Sequence, residues 1–310
     1  MRKPNMSYSS FTSYRLKHKI EPSHESPYQT GIYTHTLGED AVIVSYDYKK
    51  KDSLYTKLAH DANMLKLIGE KQTKYKSFIA SVPRHLAVID KSQRLITIRA
   101  FVEGAILKTA TQGAKSRAYI ECVNELERVT KSLTGEELQS MPRITEQDMS
   151  RLFFRYLLHA LVTRPDSIKQ LAKLAYCFYT NAPNKSVQKE HIAHRALAST
   201  NIVIGPEHIY MAQFRESVIA PAGTDIALFP QLYYREVGSD TMQAYLDEAC
   251  NTAEKKRRFL HLSAFYSLQS NDETYIRVLA ESIAPYAARV GAGHDARRGS
   301  LTLAIDPKSV

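Results

Sequence analysis

The chemistry-bearing side chains gather in two short runs, His194-Arg195-Ala196-Leu197-Ala198-Ser199-Thr200-Asn201 and Gln213-Phe214-Arg215-Glu216. Arg195 can neutralise a phosphate or an acidic side chain. The amide of Asn201 can ligate a metal or a phosphate, and reads equally as a side chain that steadies its own loop. Glu216 is a carboxylate close to Gln213. Ala196 offers no polar atom, and Gln213 offers only a neutral amide. Other chemistries lack their residues. His191 and His194 have no third ligand in sight, so no metal is expected, Asn201 being the one ligand if any. There is no Walker A loop and no G-x-S-x-G elbow. Cys122, Cys177 and Cys250 are far apart and read as reduced structural thiols.

The two runs must be held by the segment between them. Ile202-Val203-Ile204 is apolar and β-branched, Gly205-Pro206-Glu207-His208 is a turn, and Ile209-Tyr210-Met211-Ala212 is a second strand-like run. That is a hairpin pattern, and it brings Asn201 and Gln213 to one end.

The first run resembles the H-R-D-L-x-x-x-N catalytic loop of protein kinases and the H-G-D-x-x-x-x-N loop of aminoglycoside and choline phosphotransferases. His194, Arg195, Leu197 and Asn201 match, and Ala196 stands in the place of the catalytic Asp. In the second run Gln213-Phe214 stands where the resembled enzymes carry the metal-binding Asp of D-F-G or I-D-F. The resemblance implies an α+β, two-lobed protein kinase-like fold, with a small β-rich N-lobe and a larger helical C-lobe. It implies structural roles for His194, packed beneath the loop, and for Phe214. It also implies one for Asp225, which matches the Asp of a G-x-x-x-D-L-A segment and reads as a helix N-cap or loop brace.

The remaining elements are placed against that frame. Ile32–Leu37 and Ala41–Tyr48 form a hairpin pattern. The phosphate-binding Lys of a V-A-I-K strand falls on Ser45, while a register slip would recruit Lys49 or Lys50 instead. No glycine-rich phosphate loop precedes it. Leu54, Leu58, Ala62, Leu65 and Ile68 keep helical spacing, with Gly69 as the expected stop. Asp61 on that helix is the nearest acidic candidate for the partner of the strand Lys, and reads equally as a solvated side chain. Ser81–Asp90 and Arg94–Arg99 read as two strands. They run into Phe101-Val102-Glu103-Gly104, which resembles the nucleotide hinge of phosphotransferase-type kinases; Gly104 is otherwise a turn residue. Helical patterns cover 116–182, 242–246, 258–268 and 275–283. The expected divisions are a basic tail at 1–27, an N-lobe at 28–104, a C-lobe at 105–290 and a second tail at 291–310.

Composition sets the outer limits. The chain has 310 residues, 44% of them hydrophobic, with a formal net charge of +10. It is long enough for two lobes with cores of their own. No apolar run reaches membrane-spanning length and the basic N-terminus has no apolar core, so no membrane span and a cytoplasmic location are expected. Lys49–Lys51 and Lys255–Arg258 are short basic clusters that read as solvated faces or as an anionic contact. The losses at Ser45, Ala196 and Gln213 leave no intact catalytic set. Asn201, Arg195, Asp61 and Glu216 remain as a residual cleft. The expectation is a pseudokinase, a binding, scaffolding or regulatory module whose partner is another protein. ATP or another nucleotide is the expected ligand, with weak or no magnesium dependence. The alternatives are a phosphotransferase or other nucleotide-using enzyme with a rebuilt cleft, in which Glu216 or Asp225 supplies the lost carboxylate, and a basic module for a partner or, less favoured, nucleic acid.

Overall fold

A computed structural model describes residues 24–25, 31–37, 40–48, 52–75, 80–90, 94–183, 190–270 and 272–280. The first elements in chain order are strands β1 (His24–Glu25), β2 (Gly31–Leu37) and β3 (Asp40–Tyr48), then helix α1 (Asp52–Tyr75). Strands β4 (Ala80–Ser81), β5 (His85–Asp90), β6 (Arg94–Ala100) and β7 (Ala105–Ile106) follow. Helices α2 (Gln112–Thr130), α3 (Gly135–Gln139), α4 (Glu146–Thr163) and α5 (Ile168–Thr180) lead to strand β8 (Glu190–Ala193). Strands β9 (Ile202–Ile204), β10 (Ile209–Met211) and β11 (Val218–Pro221) precede helices α6 (Thr224–Tyr233), α7 (Ser239–Ala249) and α8 (Ala253–Ser270). Residues 273–280 are again helical.

The chain divides into two compact units. The first runs to Ile106 and takes in Asn201–Ser217; the second holds Leu107–Thr200 and everything from Val218. The return of the hairpin to the first unit was not drawn from the sequence. Residues 24–25, placed in the expected tail, pair with β2 as a short strand. The tail at 291–310 and Lys49–Lys51 lie outside the described residues.

The first unit is built on a five-stranded antiparallel sheet in the order β1-β2-β3-β6-β5. A smaller sheet in the order β4-β10-β9-β7 carries the hairpin. In it β10 runs parallel to β4 and antiparallel to β9. The expected strand Ser81–Asp90 is split: β4 joins the small sheet and β5 the large one, with Pro83, which has no N–H to give a ladder, between them.

Helix α1 does not stop at Gly69 but continues to Tyr75. A glycine in mid-helix costs about 1 kcal/mol relative to alanine and does not by itself end a helix. The last turns are fastened from outside. The Gln72 amide, nearly buried, donates to the Ala80 carbonyl at 2.7 Å and accepts the Val82 N–H at 3.3 Å. The inward side of α1 is the expected one, since Leu58, Ala62, Leu65 and Ile68 are all buried.

In the second unit β8 and β11 form a two-stranded antiparallel sheet. Helix α8 is its central element and is buried from Arg258 to Leu268, packed against α4, α5 and α6. A helix enclosed on all sides has no polar face to keep in water. Arg258 follows from that: read from the sequence as part of a solvated basic cluster, it is only 9% exposed and bonds Glu254 at 2.9 Å.

Gly104 is the position in the first unit with the least steric choice. Its φ is +155°, and a Cβ there would stand 2.3 Å from the Ile204 carbonyl oxygen. The oxygen belongs to β9, which β7 pairs with immediately afterwards, so it cannot withdraw without breaking the ladder. Gly104→Ala is expected to lower the urea-unfolding free energy by about 2 kcal/mol through backbone strain. An unchanged midpoint would show that the segment has room to move.

Candidate functional site

In the second unit the catalytic-loop segment is shaped by one carboxylate. Asp225 is wholly buried, and its two oxygens accept the His194 and Arg195 backbone N–H groups, each at 2.8 Å. It lies in the first turn of α6, where a negative charge meets the positive end of the helix dipole. The helix N-cap is Gly223, at φ 91°, so Asp225 is not the cap offered as one alternative by the sequence. Burial pushes its carboxyl up to about 6, against the pull of the two N–H bonds and of Arg195. His194 is fully buried, and its Nδ1 accepts the Ala196 N–H at 3.3 Å. That bond requires a lone pair on Nδ1. Arg195, pinned at its N–H, has φ 62°, a backbone region that favours glycine. The H-G-D form of the motif carries glycine at this place. Arg195 is half-buried, with its Nε enclosed and without a hydrogen-bond partner among the described residues.

Three tyrosines that the sequence did not single out hold this segment from below. Tyr119 donates to the Asp225 carbonyl at 2.7 Å, Tyr233 to the Leu197 carbonyl at 2.8 Å, and Tyr245 to the Ile226 carbonyl at 2.9 Å. The last bond answers a defect, because Pro230 within α6 has no N–H to return to Ile226. Their rings pack edge-on and stacked around Phe229, at centroid distances of 3.9 to 4.9 Å. Further along, the Ser199 hydroxyl donates to Glu236 at 2.9 Å, and Lys115 pairs with the same carboxylate at 2.9 Å.

In the first unit the hairpin does bring the two amide positions together, with the Ala212 N–H bonded to the Asn201 carbonyl at 2.9 Å. Gln213 has φ 65° and ψ 65°, the second non-glycine residue in the left-handed region. Phe214, fully buried, opens a short 3-10 turn, Phe214–Glu216. One face of α1 is tied to this turn by residues at helical spacing. Asp61 accepts the Phe214 N–H at 2.5 Å, His60 bonds Ser217 at 2.8 Å, and Lys57 pairs with Glu216 at 2.5 Å.

The alternative of a solvated Asp61 is therefore corrected: it is 6% exposed and positions a loop. Burial pushes its carboxyl up from the ordinary range, while Arg99, Arg215 and the Phe214 N–H pull it down. With Ser45 in the place of the strand Lys, two guanidiniums, Arg99 and Arg215, act on Asp61 instead. Ser45 itself pairs with Thr97 on β6 and Ile32 on β2. Phe101 and Glu103 are exposed, Val102 is half-buried, and all three precede Gly104 in the loop between β6 and β7.

Magnesium binds hard anionic oxygens, carboxylates above all. Asn201 and Gln213 offer neutral amides, and Glu216, Asp61 and Asp225 are each engaged as described. The residues present do not fit a magnesium ion. Among the described residues no group of His, Cys, Asp and Glu side chains is placed to hold a metal. No helix among them is long and apolar enough to cross a membrane.

No family model matches the chain, and no curated protein matches it in sequence. Solved structures do. A thermostable mutant of aminoglycoside phosphotransferase APH(4)-Ia, in ternary complex with ADP and hygromycin B, is similar with a TM-score of 0.55 and 13% identity, over 93% of this chain and 100% of that one. The same enzyme without the mutation gives 0.54 and 12%, with the same coverage. An aminoglycoside-3'-phosphotransferase of type VIII gives 0.51 and 15%, over 83% of this chain and 98% of that one. The chain has the protein kinase-like fold of aminoglycoside phosphotransferases, α+β, with an N-terminal β-sheet region and a helical C-terminal region.

Asp225→Asn places an NH₂ group or a single acceptor opposite two buried donors, and is expected to cost about 2 to 3 kcal/mol of unfolding free energy. The cost should depend on pH. The unfolded carboxyl ionises near 3.8 and the folded one near 6, so its stabilising contribution is full below 3.8 and is lost as the pH rises through about 6. The gap between wild type and Asp225→Asn in urea unfolding should therefore be wider at acid pH than at pH 7.5, by about 1.4 kcal/mol for each pH unit crossed inside the window. A gap that is constant with pH would contradict the burial-raised carboxyl.

Proposed function

We propose that this chain is a nucleotide-binding, catalytically impaired kinase-like protein, a pseudokinase that serves as a binding, scaffolding or regulatory module. The observation that carries this is the commitment of the available carboxylates. Asp225 is spent on two backbone N–H groups, Asp61 on the Phe214 N–H, and Glu216 on Lys57. Neither buried carboxylate is left to take over the work that an Asp at position 196 or 213 would do. Phosphoryl transfer depends on a group that orients the attacking hydroxyl and on metal ions that neutralise the phosphates. Ala196 cannot do the first, and the amide donors at Asn201 and Gln213 are poor ligands for the second.

The nucleotide is supported by the fold, since structures that share it are described as complexes with ADP or AMP-PNP. The backbone supports a retained frame rather than a collapsed one. Arg195 and Gln213 both hold left-handed conformations that a non-glycine residue adopts only when its surroundings impose them. The partner we infer is another protein.

The test is ATP consumption by the purified chain with magnesium, measured by phosphate release and by transfer to aminoglycoside acceptors. No turnover above the buffer blank is expected. Robust turnover that disappears in Asn201→Ala would overturn the proposal in favour of a phosphotransferase with a rebuilt site.

A further inference from the structure

The loss of a strand lysine at Ser45 raises the question of what neutralises phosphate in this chain. The register of the large sheet points to an answer. Ser45 pairs with Thr97 and Ile43 with Arg99, and directly opposed residues of paired strands share a face. Side chains two apart on one strand share it too. Arg99 therefore stands on the face that carries position 45, one strand over and one pair along. His85 of β5 is opposite Arg99 and joins the same face.

Helix α1 packs on β5 and β6 and on the Phe214–Glu216 turn, and so brings Asp61 and Arg215 to this region. Arg99 and Arg215 act on Asp61 and on one another. Among the described residues, two guanidiniums thus face one carboxylate, and one oxygen of that carboxylate already holds the Phe214 N–H. A half-buried cluster with an excess positive charge is costly until an anion completes it. Two buried nitrogens in the cluster, Arg215 Nε and His85 Nε2, have no hydrogen-bond partner among the described residues. Burial holds His85 toward its neutral form; Lys66 acts in the same direction, while Asp61 and Glu70 oppose it. A guanidinium nitrogen can only donate, so Arg215 Nε is suited to an oxygen acceptor.

We propose that Arg99 and Arg215 form a phosphate-binding pair, with His85 beside them, that does the work of the absent strand lysine. The ligand class is the phosphate chain of a nucleotide, which guanidinium forks match with paired N–H bonds. Asp61 is a positioning residue that orients the pair. This rests on the nucleotide reading above, but the two can fail separately.

The test is calorimetric titration of the full chain with ATP, inorganic tripolyphosphate and adenosine. It compares wild type with Arg99→Gln, Arg215→Gln and Arg99→Lys, each checked for folding by circular dichroism. In both Gln variants affinity for ATP and tripolyphosphate should fall about tenfold or more, as expected for losing a charge-assisted bond, with adenosine affinity unchanged. Arg99→Lys keeps the charge but loses the fork, so it should bind ATP and tripolyphosphate more weakly than wild type and more tightly than Arg99→Gln, and the loss against wild type is the readout if a Gln variant fails to fold. ATP affinity within about twofold of wild type in the Gln variants overturns the pair and leaves nucleotide binding standing. Arginine-dependent binding of tripolyphosphate, with ATP no tighter and adenosine silent, upholds the pair and overturns the nucleotide. Wild type that binds neither ATP nor tripolyphosphate overturns the pair.

Discussion

A buried carboxylate that accepts two successive backbone N–H groups fixes the most chemically loaded loop of this protein. Asp225 has no access to solvent, and its position depends on Tyr119 at its own carbonyl and on the first turn of α6. Leaving either N–H without a partner would cost about 1 to 3 kcal/mol. Arg195, whose N–H is one of the two, holds a left-handed conformation at φ 62°. The Tyr119, Tyr233 and Tyr245 hydroxyls extend the brace to Ile226 and Leu197. The loop is therefore held by its surroundings, and the side chain at position 196 takes no part in holding it.

That separation makes the backbone of the loop independent of the side chain at position 196. The bonds that set the backbone at 194 and 195 come from Asp225, and those that set it at 214 come from Asp61. Neither brace uses the side chain at 196 or 213. The same logic turns the remaining acids into structural residues. Asp61, His60 and Lys57 present one face of α1 to the Phe214–Glu216 turn and fasten it at three points. The Lys57–Glu216 pair is exposed and adds little. The buried Asp61 bond is the one that would be missed.

Much of this was legible in the sequence because it is local. The hairpin from Ile202 to Met211 has a β-branched run, Ile202–Ile204, and a second apolar run around a Gly-Pro turn, and α1 has a clean apolar repeat from Leu58 to Ile68. His194 and Asn201 stand at motif spacing. What was not legible depends on contacts between distant positions. The sequence gives no sign that α1 survives Gly69, because Gln72 secures it through β4. Nothing local marks Tyr119, Tyr233 and Tyr245 as one support, since each looks like an ordinary apolar helix position. Arg99 is hidden for the same reason: its place beside position 45 is a matter of register between β3 and β6. The left-handed residue at 195 left a trace, the glycine of the H-G-D form of the motif.

The electrostatic balance follows from these placements. The first unit sets two guanidiniums, Arg99 and Arg215, against the one carboxylate of Asp61, and the phosphate recognition proposed for them needs no divalent cation. Thermal unfolding of the full chain with saturating ATP, once in magnesium and once in EDTA, tests it most directly. A ligand that binds only the folded state raises the melting temperature by mass action. An upward shift of about 2 °C or more, the same in both conditions, is expected. A shift that appears only with magnesium would contradict it.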